Sequence, residues 1–333
     1  MTDFNSYHTV ADTLKETDGE GKIVSNIIEM LAPSSALIED AYIQECNNKT
    51  SHISVIRTSI PEPQFRKFYQ GAAATDPKSK QVVDTCGQLT DYSIVDASLC
   101  DIQKNPAQYR LNQAKGHLQG FTKKIMDSVL YGEKKTNPAG IDGLASRYNK
   151  IETKENSIGA QVIDGGATGD AACTSVFAIT WGDEHAKLIY PEGTQAGIKH
   201  LNRGEVDAKD AQGKEYRAYK DYFEWWFGLS LGNYKSSARL ANIDVAELRK
   251  GTIDVESLLL DLYYAVDDDR EKGSGNTFIY ANKEFYKALH KKILNKQNVN
   301  LSFSEVGGKK IMQFIDMPIR SCKEVRLDEA VVA

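Results

Sequence analysis

The 333-residue chain has no run of about 18 apolar residues, so no helix is expected to cross a membrane. Its longest apolar stretch, around Leu258 to Val266, is broken by Asp261. Cysteine is scarce and odd in number. Cys46, Cys86, Cys100, Cys173 and Cys322 are widely spaced, which reads as reduced, buried thiols and not as a disulfide framework. No C-x-x-C and no H-E-x-x-H occurs, so no zinc site is expected. No G-x-x-x-x-G-K-[ST] phosphate loop and no G-x-S-x-G elbow occurs either. An excess of positive charge is also missing. Lys and Arg number 41 against 46 Asp and Glu, a net charge of −5, which disfavours a sequence-independent nucleic-acid binder. The first 20 residues are polar and acidic without an apolar run, so they do not read as a signal peptide. Without one, the glycosylation patterns at Asn48-Lys49-Thr50 and Asn300-Leu301-Ser302 carry no meaning.

What is present is enough to fold. Hydrophobic residues make up 41% and charged residues 26%, which supports a real core in one large domain or two ordinary ones. The candidate chemistry is thin. His185 follows Asp183 and Glu184 and reads as a turn rather than a catalytic pair. The glycine-rich stretch Gly165 to Asp170 reads as a surface connection; it lacks the following Lys of a phosphate site and the alternating ligands of a calcium loop. Asp267-Asp268-Asp269 reads as a solvated loop. Lys287, Lys291 and Lys292 form a basic patch that is either solvated or faces an acidic neighbour. No catalytic residue, cofactor or metal is expected, and the chain is not read as an enzyme.

The hydrophobic pattern predicts an α+β chain with interleaved segments. After a polar arm, Ile23, Ile27, Met30 and Leu31 recur at helical spacing up to Pro33, and Leu37, Ile38, Ala41 and Tyr42 mark a second short helix. His52–Ile60 and Gln81–Cys86 read as strands of a long hairpin, with Ala74 to Lys80 as its polar tip. Leu89–Asp96 is another strand, with Tyr92 and Ile94 alternating. From a cap at Asn105 and Pro106, Ala107, Leu111, Ala114, Leu118, Phe121, Ile125 and Val129 follow one helical stripe. Gly132 ends it, where a left-handed residue is expected. Gly116 and Gly120 fall on the opposite face, which is either solvated or closely approached by another backbone. Ser175–Trp181, Lys187–Tyr190, Thr277–Tyr280 and Ile311–Ile319 read as strands; Asp244 with Glu247 opens a helix, and Val255–Val266 and Lys283–Asn295 are helices. Glu215 to about Asn233 is densely aromatic. As a strand it puts Phe223, Trp225, Phe227, Leu229 and Leu231 on one face and Tyr222 and Trp226 on the other, so both faces need cover.

An arm, a projecting hairpin, a long rod and a long aromatic strand are shapes for making contacts. The candidate contact residues are Asp76, Lys78 and Lys80 in the hairpin, Gly116 and Gly120 on the rod, and Trp225 and Trp226 on the strand.

Four strings carry a resemblance. Gly143-Leu144-Ala145-Ser146-Arg147-Tyr148-Asn149 follows the long helix. Ile163-Asp164-Gly165-Gly166-Ala167-Thr168-Gly169-Asp170 leads into the strand ending Trp181-Gly182. Ile189-Tyr190-Pro191-Glu192-Gly193-Thr194-Gln195-Ala196-Gly197 runs on to Gly204-Glu205-Val206. Tyr216 to Ile243 ends in Arg239-Leu240-Ala241-Asn242-Ile243. In this order they resemble the major capsid protein of short-tailed double-stranded-DNA bacteriophages, over about residues 20 to 325. The resemblance implies the Hong Kong 97-like capsid fold in a permuted segment order. Residues 1–48 become an N-terminal arm and 49–88 an extended hairpin loop. Residues 89–150 and 205–243 form a peripheral domain with a spine helix, and 151–204 and 244–333 an axial domain. It further implies self-assembly into hexamers and pentamers of an icosahedral shell around packaged double-stranded DNA, bound without sequence specificity. Portal, scaffolding, and cement or decoration proteins are the implied partners. The implied location is the virion, assembled in the host bacterial cytoplasm without membrane contact. The alternative reading is another virion part, a decoration or tail component.

Overall fold

The computed structural model describes residues 36–333, apart from 60, 72–73, 103–105, 155–156, 170, 210–211, 271–274, 295–300 and 307–308. The helix expected at Ile23–Leu31 and the cap at Asn105 lie outside the described residues. The first described element is a short helix, α1 (Ala36–Asp40), which buries Leu37 and Ile38. Ala41 and Tyr42 fall beyond its end, before the strand β1 (Ile43–Glu45). β2 (Ser51–Ser59) and β3 (Lys78–Thr85) then form the expected antiparallel hairpin, as a two-stranded sheet apart from the body. Because β3 begins at Lys78, Ala74 to Lys80 is not the tip. The connection runs from 60 to 77, and Lys78 and Lys80 pair opposite Ser59 and Ile56.

β4 (Gly87–Asp96) and a short helix α2 (Ala97–Ile102) lead into the long rod α3 (Pro106–Tyr131). Of its expected stripe, Ala114, Leu118, Phe121, Ile125 and Val129 are buried, joined by Met126 and Leu130, while the side chains of Ala107 and Leu111 lie outside what the structure describes. Gly132 ends it for a different reason from the one expected. Its φ is not positive. A Cβ there would stand 2.4 Å from Ser128 O and 2.5 Å from Ile141 O, because the chain returns at once and Gly143 N–H donates to Gly132 O. Gly132→Ala is therefore expected to destabilise the subunit by about 1–3 kcal/mol through overpacking. Chemical denaturation checks this, and an unchanged midpoint would contradict it.

The rest of the chain is α4 (Leu144–Arg147), β5 (Val162–Asp164), β6 (Cys173–Gly182), β7 (Ala186–Tyr190), β8 (Ile198–Lys209), β9 (Glu215–Leu231), β10 (Ser237–Asp244), α5 (Val245–Lys250), α6 (Val255–Arg270), β11 (Gly275–Ala281), α7 (Lys283–Leu294), β12 (Leu301–Val306), β13 (Lys309–Phe314) and β14 (Met317–Ser321). Asp244 caps α5 through its side chain, which accepts from Ala246 N and Glu247 N, and left-handed Gly251 closes it. The expected loop at Asp267 is helical, since α6 continues to Arg270. The last strand region is a hairpin of β13 and β14 with a turn between. β1, β5, β8, β10 and β12 have no counterpart among the strands expected from the sequence.

The large sheet runs β12-β13-β14-β11-β6-β7-β9-β4, with β8 on the other side of β9, β10 and β5 beside β6, and β1 beside β7. β6 is buried along its whole length and serves two cores. Phe177, Ile179 and Trp181 join the stripe of α3 and the inner face of β9. Val176 and Ala178 face the core under α6 and α7, with Leu259, Leu262, Phe285 and Phe314. Alternation in one strand thus binds the two halves of the molecule, because successive side chains point to opposite faces.

Candidate subunit-contact surfaces

The hairpin has a fixed root and an uncovered end. At the root, His52 and Asp84 are paired across the strands and both are buried. Arg147 Nη2 donates to Asp84 Oδ1 at 2.8 Å and to Leu229 O at 2.9 Å, so one guanidinium ties β3 to β9. Further out, Val55 is 69% exposed and Val83 51%. At the end, Phe65, Phe68 and Tyr69 are 109%, 94% and 109% exposed, alongside Arg66 and Lys67. Three aromatics within five positions, uncovered by any of the described residues, are the strongest contact signal among those residues. Reading the tip at Ala74–Lys80 missed them. Asp76, Lys78 and Lys80 are exposed, but they lie on the flank of this connection.

The aromatic strand divides by alternation. Phe223, Trp225, Phe227, Leu229 and Leu231 pack in the subunit's own core. Trp225 is 6% exposed and so offers nothing to a neighbour, which removes it from the contact candidates. Trp226 and Tyr222 are half-buried on the outer face, and the Trp226 indole N–H donates to Glu224 Oε1. Tyr92 and Ile94 on β4 and Leu201 on β8 join them there, 44%, 47% and 41% exposed. Tyr92 stands directly across from Tyr222, with ring centroids 5.0 Å apart. Ser93 and Val95 take the inner positions instead. The cover expected on both faces of β9 is therefore complete on the α3 face and partial on the other.

Charged groups fasten α3 to this sheet from beneath. Asp221, 2% exposed, accepts from Arg110 Nη2 at 2.9 Å and lies 3.0 Å from His200 Nε2. His117 Nδ1 lies 2.6 Å from Asp91 Oδ2, and both imidazoles stack on Phe223. Burial pushes the Asp221 carboxyl up, but the hydrogen bonds from His200 and Arg110 and the guanidinium charge outweigh it and hold it below its ordinary value of 3.8. A carboxyl held lower in the folded chain contributes stability above its unfolded value and loses it as pH falls through the folded one. Asp221→Asn is thus expected to lower stability at neutral pH and to flatten the acid limb below roughly pH 4. Melting curves across that range check it; a parallel acid limb in the variant would contradict the assignment.

On the opposite face of α3, Gly116 and Gly120 are exposed, and a Cβ at either would meet nothing within 4 Å. Among the described residues, no backbone of the same subunit crosses there. Gly116→Ala with Gly120→Ala is therefore expected to raise subunit stability by up to about 2 kcal/mol, from helix propensity alone. A lower denaturation midpoint would contradict the open face. Beside Gly120 a groove of about 570 Å³ is edged by Lys123, Lys124, Lys323 and Arg326. On α7, Lys287 and Lys291 are exposed, while Lys292 already faces Asp254 and Glu256 of its own chain, at 3.9 Å each. His185 is buried in a turn, its N–H donating to Gly182 O. Among the described residues, no group of three His, Cys, Asp or Glu stands together to hold a metal ion, and no helix is long and apolar enough to cross a membrane.

The family model of the major capsid protein GP7 matches residues 18–333. A chain in the cryo-EM structure of bacteriophage Epsilon15 is 32% identical, with 88% of each chain covered and a TM-score of 0.71. The bacteriophage JBD30 capsid aligns at 10% identity, over 87% of this chain and 91% of that one, with a TM-score of 0.47. A comparison with curated proteins finds no match. The mixed helix-and-sheet architecture is the Hong Kong 97-like capsid fold, and the protein is a shell-forming component of a virion. A match over nearly the whole length, together with a solved relative at 32% identity, means that this chain belongs to the GP7 major capsid protein family.

Proposed function

We propose that copies of this chain form the hexamers and pentamers of a closed icosahedral shell around packaged double-stranded DNA, with the hairpin end of one copy seated on the body of the next. The observation that carries this reading is the fully exposed aromatic trio Phe65, Phe68 and Tyr69 at the end of a hairpin that lacks a core of its own. Large buried aromatics dominate the energetics of interfaces, and three on one hairpin connection supply an anchor outside the subunit's own core. The partly covered face of Tyr92, Tyr222 and Trp226, and the open face of Gly116 and Gly120, are the proposed further contacts, with Asp76, Lys78 and Lys80 as polar rim.

In this reading residues 1–48 act as an arm and 49–88 as the extended loop. The peripheral domain is built on α3, β4, β8 and β9, and the axial domain on the sheet under α6 and α7. The boundary expected at residue 205 falls inside β8, whose pairing with β9 runs from Ile198 to Lys209, so all of β8 is assigned to the peripheral domain. A net charge of −5 suits a shell that must not adhere to its contents. Portal, scaffolding, and cement or decoration proteins are the proposed partners, and the host bacterial cytoplasm the proposed place of assembly. Chemistry catalysed by the chain is not part of the proposal. Sedimentation of the chain expressed with its phage partners tests it: hexamers, pentamers or closed shells are expected, and a monomer under all conditions would overturn it.

A further inference from the structure

Cys46 and Cys86 are 40 positions apart in sequence, yet their Sγ atoms stand 3.4 Å apart. Backbone contacts fix both. Cys46, just after β1, donates its N–H to Tyr190 O at 2.8 Å; Cys86, between β3 and β4, donates its N–H to Thr50 O at 2.9 Å. Cys86 Sγ also donates to Ile189 O at 3.7 Å. The two thiols therefore sit at the point where the hairpin leaves the body, one on the segment that enters it and one on the segment that returns. Both are free thiols.

We propose that Cys46 and Cys86 are a modification site, a dithiol that a low-molecular-weight disulfide converts into an intrachain disulfide locking the root of the hairpin. The sulfurs must close from van der Waals contact to a bond of about 2.05 Å, a small side-chain movement between residues already held by the backbone. Cys86 is half-buried and Cys46 is 3% exposed, so Cys86 is the attacking group. Its thiolate attacks one sulfur of the reagent disulfide. A mixed disulfide forms, and the first reagent thiolate leaves and takes up the proton lost by Cys86. The Cys46 thiolate then attacks Cys86 Sγ. The Cys46–Cys86 bond forms, and the second reagent thiol leaves with the proton lost by Cys46. The protein loses two protons and two electrons, and one reagent disulfide takes them up to become two thiols. Burial pushes both thiols up, Cys86 most, so they stay protonated near neutrality. Only the thiolate reacts, so the rate is expected to rise about tenfold per pH unit above neutrality. The closed loop contains the whole of β2 and β3. Oxidation pins the strands where they leave the body and leaves the aromatic end free to dock.

The test treats the reduced full-length chain with oxidised glutathione at mildly alkaline pH, traps remaining thiols by alkylation, and maps peptides by mass spectrometry. The expected result is a single peptide pair joined through Cys46 and Cys86, with two of the five thiols gone, recovery on reduction, and a higher urea midpoint for the oxidised chain. Cys46→Ser is expected to stop at a glutathione adduct on Cys86, and Cys100→Ser to leave the reaction intact. Five alkylated thiols, a stable adduct on wild-type Cys86, or a linkage to another cysteine would overturn the proposal. An unchanged urea midpoint after linkage would overturn the locking role. The peptide map uses the wild-type chain, so a variant that fails to fold does not remove the test.

Discussion

Replacing Phe65, Phe68 and Tyr69 together by serine is expected to abolish shell formation while leaving the subunit as stable as before. In the single chain the three rings are at or near full exposure and join no core of the described residues. Substitutions at such positions usually change stability by no more than about 0.5 kcal/mol. At an interface the same rings are worth far more, because truncating an aromatic anchor commonly costs about 2 kcal/mol or more. Three anchors lost from every copy weaken each contact by several orders of magnitude at about 1.4 kcal/mol per factor of ten. A closed shell repeats that loss at every contact. Circular dichroism melts and sedimentation, run on the same preparations, check both halves. Normal shells would show that the trio is idle. A large fall in melting temperature would show that the trio packs within its own subunit.

The second large effect is expected at Arg239, on β10. Its Nη2 donates to Glu329 Oε2 at 2.7 Å, its Nη1 to Tyr148 O at 2.8 Å and its Nε to Ser175 Oγ at 3.0 Å, while the guanidinium lies 5.7 Å from the Phe177 ring centroid. Glu329 also accepts from Tyr131 O–H and Ser175 O–H, at 2.5 Å each. Both charged side chains are under 10% exposed. The cluster thus joins the end of α3, the strands β6 and β10, and the C-terminal segment. Arg239→Met leaves a buried carboxylate with its charge unmatched, and breaking such a pair typically costs about 3–5 kcal/mol. The double variant with Glu329→Gln is expected to regain part of that loss, because no uncompensated charge remains. Urea denaturation of the four proteins of the cycle checks it. A loss below about 1 kcal/mol for Arg239→Met, within the range of an exposed pair, would contradict the buried geometry.

The parts legible in the sequence are those in which one face of an element is fully buried. α3 is readable because Ala114, Leu118, Phe121, Ile125 and Val129 all meet the same core, so burial writes the helical period into the chain. β9 is readable for the same reason at period two, whereas β6, buried along its whole length, is readable as a short apolar and β-branched run. β8 is not. It lies along one side of β9 with Ile198 its single buried residue, and the rest alternates between half-buried and exposed. That weak contrast leaves no apolar pattern to find. The hairpin end is not legible because the polar run at Ala74–Lys80 resembles a turn, whereas the pairing of β2 with β3 sets the register and leaves a long connection whose aromatics face solvent. Trp225 and Trp226 show a different limit. Alternation says that neighbours point to opposite faces, but only the packing of α3 decides which face becomes core. Gly132 likewise reads as a left-handed stop until the returning chain at Ile141 is seen beside it. The Cys46–Cys86 contact has no sequence signature, since only the fold brings positions 40 apart into touch.

The central claim is that this chain builds a shell by seating its hairpin end on a neighbouring copy, and electron cryomicroscopy of assembled particles tests it most directly. Closed shells are expected in which the rings of Phe65, Phe68 and Tyr69 in each copy are buried against the body of an adjacent copy. Shells in which those rings project into solvent in every copy would contradict it.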